Sequence, residues 1–198
     1  MNSLIIFTLI SILLATTYIL ELNIIEITTS DNKKDFKEDT IDFPLLITIT
    51  FILPLLYYIF IYFNKKKTKE CLLLIKGHFS NTINTLCITA FIKGLIKKER
   101  PFKRNKTPNM YYNSSFPSGH SSILISSTLY FIYFNNKRNF KYDKILYFLM
   151  ILLAILGCST RVLDGKHDII DVIAGISLGI YVFIINIFLL KYELKKMK

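Results

Sequence analysis

"STRVLDGKHDIIDVIAGISLGIYVFIINIFLL", residues Ser159 to Leu190, opens polar and closes apolar. The closing run, Ile169 to Leu190, carries one charged side chain, Asp171, and is long enough as a helix to cross a hydrocarbon core of about 30 Å. The opening carries Arg161, Asp164, Lys166, His167 and Asp168. Asp171 follows His167 by four residues, so a helix entered at His167 brings the carboxylate under the imidazole. With Asp171 accepting the Nδ1 proton, Nε2 keeps an outward lone pair and a developing imidazolium is stabilised, which is how a nucleophilic histidine is built. The plainer reading of the same pair is a helix-terminal salt bridge or cap.

Working outward, further apolar runs lie at Ser3–Leu20, Pro44–Phe63, Cys71–Ile92, His120–Phe134 and Ile145–Val162. Hydrophobic residues make up 52% of the 198, and the mean hydropathy is +0.42, which argues against a water-soluble domain with a polar shell. The expected fold is all-α: a polytopic membrane bundle of six transmembrane helices in one domain, 1–198. The third helix carries Lys76, His78, Asn81 and Asn84, and the fourth is short and rich in serine. Polar membrane helices face a bundle interior. The first run lacks the basic n-region of a secretory signal and is read as a membrane helix. Cys71, Cys87 and Cys158 all fall in apolar segments, which suggests ordinary buried thiols and neither a disulfide framework nor a metal site.

The net charge is +11, yet the cations sit where a membrane protein keeps them, so nucleic acid is not the expected partner. Basic clusters at Asn64–Glu70, Asn135–Lys144 and Lys191–Lys198 share one side of a six-span chain, and the positive-inside rule makes that side, with both termini, cytoplasmic. The other side holds an acidic loop, Glu21–Phe43, and a loop, Lys93–Gly119, whose cations break the rule. Cations on the wrong side fit an anion bound at the outer surface.

Two more stretches point the same way. His78, Thr82, Thr85, Thr89, Lys93 and Arg100 recur at helical spacing and form one stripe that Pro101 ends, with Lys93 and Arg100 about two turns apart. In "PSGH", Pro117 sets a turn, Ser118 suits an N-cap, Gly119 admits close backbone approach, and first-turn amides face an anion beside His120. A capped helix with an interfacial histidine, and cations snorkelling at a helix end, are the bland alternatives. Alternation of six helices brings all three stretches to one face. On the sixth helix Asp171, Gly175 and Gly179 share a side, so close helix contact is expected there.

These motifs, "KGLIKKERP" as KxxxxxxRP, "PSGH" as it stands, and "TRVLDGKHDIID" as SRxxxxxHxxxD with Thr160 for serine, resemble the type 2 phosphatidic acid phosphatase superfamily. These are integral-membrane lipid phosphatases that share a helical core with vanadium haloperoxidases. The resemblance spans the third to the sixth helix, a catalytic core of about 71–190; Asp164 and the "DVIAG" tail are most similar to lipid phosphate phosphatases and diacylglycerol pyrophosphate phosphatases. It implies that Lys93, Arg100 and Arg161 bind phosphate oxygens with help from Ser118 and Gly119. It implies further that His167 attacks phosphorus, that Asp171 orients it, and that His120 protonates the leaving alkoxide and then activates water. No cofactor and no metal are expected. Three departures stand out: Thr160, a short Phe102–Phe116 segment, and Asp168 where many relatives carry a second histidine.

The expected activity is hydrolysis of phosphatidate or a related lipid phosphate through a phosphohistidine, on the lumenal or extracytoplasmic face, with a membrane lipid as partner. A lipid pyrophosphate phosphatase, a phosphotransferase and a non-catalytic protein that binds anionic lipid are the rivals. A channel is disfavoured because the charges gather at one face.

Overall fold

The structure, a computed structural model, describes residues 2–19, 25–27, 37–64, 69–101, 114–136 and 143–196. Much of the acidic loop, much of the Lys93–Gly119 loop and the middles of the basic clusters at Asn64–Glu70 and Asn135–Lys144 lie outside the described residues, as does the side chain of Cys71. Cys87 and Cys158 are free thiols.

Six helices form the body. They are α1 (Ser3–Ile19), α2 (Phe43–Ile47, continuing through a π turn at Thr48–Ile52 into Leu53–Asn64), α3 (Lys69–Leu95), α4 (Gly119–Asn136), α5 (Asp143–Leu163) and α6 (Ile169–Lys196). Asp42 caps α2 by accepting from the Leu45 amide at 2.9 Å, and Pro44 sits in the first turn, where its missing N–H costs nothing. Among the described residues three helices are long and apolar enough to cross a membrane, at Phe43–Phe63, Lys144–Leu163 and Ile169–Lys196; Ser3–Thr16 is a shorter apolar helix.

The remaining two, α3 and α4, are the polar ones, and they lie inside. Helix α3 packs on α1, α4 and α6, and α4 packs on α3, α5 and α6. Asn84 Nδ2 donates to Asn186 Oδ1 of α6 at 3.0 Å and to Ser80 Oγ at 3.0 Å; Ser80 reaches Asn186 at 3.2 Å and Thr8 of α1 at 2.8 Å. Thr85 donates to Ser126 Oγ of α4 at 3.0 Å, and the hydroxyls of Thr89 and Ser122 meet at 3.0 Å. Polar groups thus join helices, which association in lipid requires because apolar burial offers little between membrane helices. The outer surface is apolar, with Leu13, Phe60, Phe63, Phe148 and Phe188 exposed. His78, on α3 with Thr82, Thr85 and Thr89 of the expected stripe, is buried like them and packs among the rings of Phe51, Tyr58 and Tyr130.

The two glycines of α6 behave as the spacing predicts. A Cβ on Gly175 would strike the Ser118 carbonyl oxygen and lie 3.1 Å from Ser121 Cβ; one on Gly179 would lie 2.5 Å from the Ser122 carbonyl oxygen. Only glycine lets α6 lie directly on the start of α4.

An expectation about α3 fails. Helix α3 stops at Leu95, so Arg100 is not on a helical stripe with Lys93. Ile96–Lys98 is an extended strand, β2, paired in parallel with β1 (Ile25–Ile27). Gly94 weakens the last turn, and the next backbone groups find partners off the helix: Glu99 N donates to Ile27 O at 3.1 Å and Ser115 N to Lys98 O at 2.8 Å.

Candidate active site

The turn from α5 to α6 fixes His167. Gly165 takes a left-handed conformation, φ 67°, which favours glycine, and the amides of Lys166 and His167 both donate to the Arg161 carbonyl at 3.1 Å. His167 therefore sits in this turn, two residues before α6 begins, and not on the helix the spacing suggested. Helix α6 starts with half of a capping box: Asp171 Oδ2 reaches back to accept from the Asp168 amide at 3.2 Å, while Val172 N makes the first helical backbone bond, to Asp168 O, at 3.2 Å.

His167 and Asp171 still meet. Nδ1 lies 3.6 Å from Asp171 Oδ2, an ion-pair distance longer than a hydrogen bond. His167 is 5% exposed and Asp171 fully buried. Burial pushes His167 down to about 3, with Asp171 pulling it partly back and Arg100 and Lys93 adding to the depression, so the ring is neutral at ordinary pH.

The other oxygen of Asp171 has a partner that the sequence reading missed. Lys98 Nζ lies 2.7 Å from Asp171 Oδ1 and 3.1 Å from Asp168 Oδ2. Burial opposes the Lys98 charge, but the bonds to Asp171 and Asp168 outweigh it and raise its pKa above the ordinary lysine value. In "KKERP" this lysine reads as one of a solvated run; only its place on β2 turns it inward.

The three candidate phosphate-binding cations each have a partner. Lys93 Nζ donates to Ser114 O at 2.7 Å and Arg100 to Lys166 O at 3.3 Å. Arg161, 1% exposed, donates from one terminal nitrogen to Asp39 Oδ1 at 2.9 Å; the other donates to Asp164 Oδ2 at 2.9 Å and to Thr160 Oγ1 at 3.3 Å. Thr160 therefore serves the arginine directly. Arg100 lies within electrostatic reach of both histidines and Arg161 within reach of His120.

A cis Phe116–Pro117 peptide leads into α4. Ser118 is the expected cap, accepting from Ser121 N at 3.4 Å and from Ser121 Oγ at 3.0 Å. Its own amide is not available to an anion, because it donates to the Asp171 carbonyl at 2.9 Å; that bond ties α4 to α6. A Cβ at Gly119 would meet only Thr89 Cγ2, at 3.6 Å, so among the described residues the space over this glycine is open. His120 Nε2 lies 3.1 Å from the carbonyl oxygen of Ile41, and its ring meets Phe43 edge-on at 6.5 Å.

The three motifs thus converge with a fourth segment, residues 39–41, that the sequence reading left without a role. Its signal was an acidic loop on the same face as an unusually basic one. Chemically the assembly offers a neutral buried imidazole, a second imidazole at a helix start, and cations able to bind a tetrahedral anion.

Among curated proteins no sequence matches the chain significantly. A crystal structure described as the first transmembrane PAP2 type phosphatidylglycerolphosphate phosphatase, from Bacillus subtilis, is similar with a TM-score of 0.52 and 22% identity. The match covers 100% of this chain and 98% of that one, and supports a membrane helix bundle of the same fold. A sequence profile described as the PAP2 superfamily matches residues 76–195, from the first third of α3 to the last turn of α6, and takes in all three motifs; the chain belongs to the PAP2 superfamily.

Proposed function

We propose that this PAP2 phosphatase hydrolyses the phosphomonoester of phosphatidate or a related lipid phosphate through a phosphohistidine, without a metal in the step. The reading rests on one observation: His167, buried and neutral beside Asp171, shares a site with His120, Lys93, Arg100 and Arg161. Nε2 of His167 attacks phosphorus, the bond to the lipid oxygen breaks, and His120 gives that oxygen a proton. Water, deprotonated by His120, then attacks the phosphohistidine and releases phosphate. Lys93, Arg100 and Arg161 stabilise charge on the equatorial oxygens, the amide end of α4 at Gly119 helps, and Asp171 stabilises the imidazolium that develops. Ser118 acts through its side chain and through the tie to Asp171.

Six membrane crossings, cytoplasmic termini and an outward active site complete the proposal, with substrate entering from the outer leaflet and its tails in lipid. The structural neighbour's printed substrate, phosphatidylglycerolphosphate, is also a lipid phosphomonoester and joins the candidates.

The test is phosphate release in EDTA from phosphatidate, lysophosphatidate, phosphatidylglycerolphosphate, diacylglycerol pyrophosphate and a polyprenyl pyrophosphate in mixed micelles. Wild type releasing phosphate and His167→Ala releasing none supports the reading and ranks the substrates. A monodisperse wild type inert on all five overturns it.

A further inference from the structure

Three consecutive residues of the acidic loop each hold a different group of the site. The Asp39 carboxylate takes Arg161 at 2.9 Å and stands 4.0 Å from Lys166 Nζ. Thr40 gives Asp164 two bonds, from its amide at 2.9 Å and from its hydroxyl at 2.7 Å. The Ile41 carbonyl takes Nε2 of His120 at 3.1 Å, which makes that nitrogen the donor in this arrangement. Residues 37–42 have no regular structure and hand over directly to α2.

The contacts matter because of what they use. Arg161 is buried, and both terminal nitrogens are taken. Asp164 lies in the same turn as Arg161 and its side chain is 9% exposed; the Asp39 side chain, from a distant segment, is 32% exposed. Of the two carboxylates, Asp39 is the one that can leave. Nε of Arg161 is buried with no hydrogen-bond partner among the described residues, so the guanidinium still has a donor to offer. The proton on His120 that a leaving alkoxide would need is also spent on Ile41.

We infer that Asp39 is a specificity-determining residue: its carboxylate stands on Arg161 in place of a phosphate oxygen, and only a ligand with more phosphate charge displaces it and frees His120. This rests on the phosphatase reading above and adds to it a selection by charge. A phosphomonoester dianion or a pyrophosphate carries more charge than the carboxylate and gains bidentate bonds to arginine. A phosphodiester monoanion matches the carboxylate charge and gains nothing by exchange. The abundant diester lipids of the surrounding membrane are thereby kept off the site.

A competitor tethered inside the protein weakens apparent affinity by the fraction of molecules in which it has moved away. The experiment is calorimetric titration of the full-length protein in detergent with inorganic phosphate, for wild type, Asp39→Asn and Thr40→Val. Asp39→Asn is expected to tighten phosphate binding about fivefold or more, and Thr40→Val, which keeps every cation and Asp39 itself, to tighten it by less. Phosphatidylglycerol, a phosphodiester, is expected to inhibit Asp39→Asn more strongly than wild type in mixed micelles. Unchanged or weaker phosphate binding in both variants, absence of binding in all three proteins, or equal inhibition by the diester overturns the inference. Should Asp39→Asn not fold, Thr40→Val decides the binding arm alone. Phosphate binding needs no turnover, so a wild type that binds phosphate but hydrolyses no lipid sinks the phosphatase reading and leaves the Asp39 comparison to be judged on its own affinities.

Discussion

At the scale of single residues, Lys98 bears most directly on how His167 is oriented. It holds one oxygen of a fully buried carboxylate whose other oxygen faces the imidazole. Lys98→Met is expected to leave Asp171 without its cation and free to turn, lowering kcat about 10- to 100-fold, the scale of a catalytic group displaced by about 1 Å. KM should change much less, and Lys98→Arg should recover most of the rate. Steady-state kinetics beside thermal melts check this, and a loss confined to KM would reassign Lys98 to phosphate binding. A second outcome concerns pH. His167 is held at about 3 when folded and returns toward the ordinary 6.5 when unfolded. Below pH 6.5 the unfolded chain takes up a proton that the folded chain refuses, so stability falls as pH drops toward 3, by at most about 1.4 kcal/mol per pH unit from this group. His167→Gln should flatten that part of a plot of melting temperature against pH.

At the scale of elements, α6 lies on α4 through two glycines, and the Ser118 amide joins them. Gly175→Ala is expected to destabilise by about 1–3 kcal/mol, because the added carbon meets a backbone oxygen and not a flexible side chain. Activity should fall beyond the loss of folded protein, since Ser118 and Asp171 would be pushed apart; urea-dependent unfolding in detergent with parallel assays separates the two. The helices and this contact were legible in the sequence because apolar length and small-residue spacing are local properties. The end of α3 was not legible. The residues at 93–101 continue a helical spacing, and what stops the helix is pairing with Ile25–Ile27, far away in the chain. The site divides along the same line. His120, His167, Asp171 and the three cations are candidates by motif, whereas Lys98 and Asp39 join the candidate site through a strand pairing and through a loop that contacts it.

At the scale of the whole molecule, polarity is arranged inside out, with amides and hydroxyls joining the central helices and large apolar side chains on the surface. Asn186→Leu is expected to strand Asn84 and Ser80 and to cost about 1–2 kcal/mol, the range for a hydrogen bond between membrane helices. Surface changes such as Phe148→Leu should cost far less, and thermal melts in one detergent compare them. The proposed orientation predicts that a reporter active only outside the cytoplasm works when inserted in the loop after α1 and fails at the C-terminus; the reverse pattern would turn the protein over.

The glycine seam carries a last consequence, for how such a sequence can diverge. The relation between α4, which starts at His120's turn, and α6, which follows His167, is set by backbone lying on backbone, without side-chain volumes that need matching. Two absent side chains can be inherited unchanged while nearly everything facing lipid is exchanged for another apolar residue. A chain can then keep the placing of these two helices while retaining little recognisable sequence, and a structure of the same fold is matched over the full length at 22% identity.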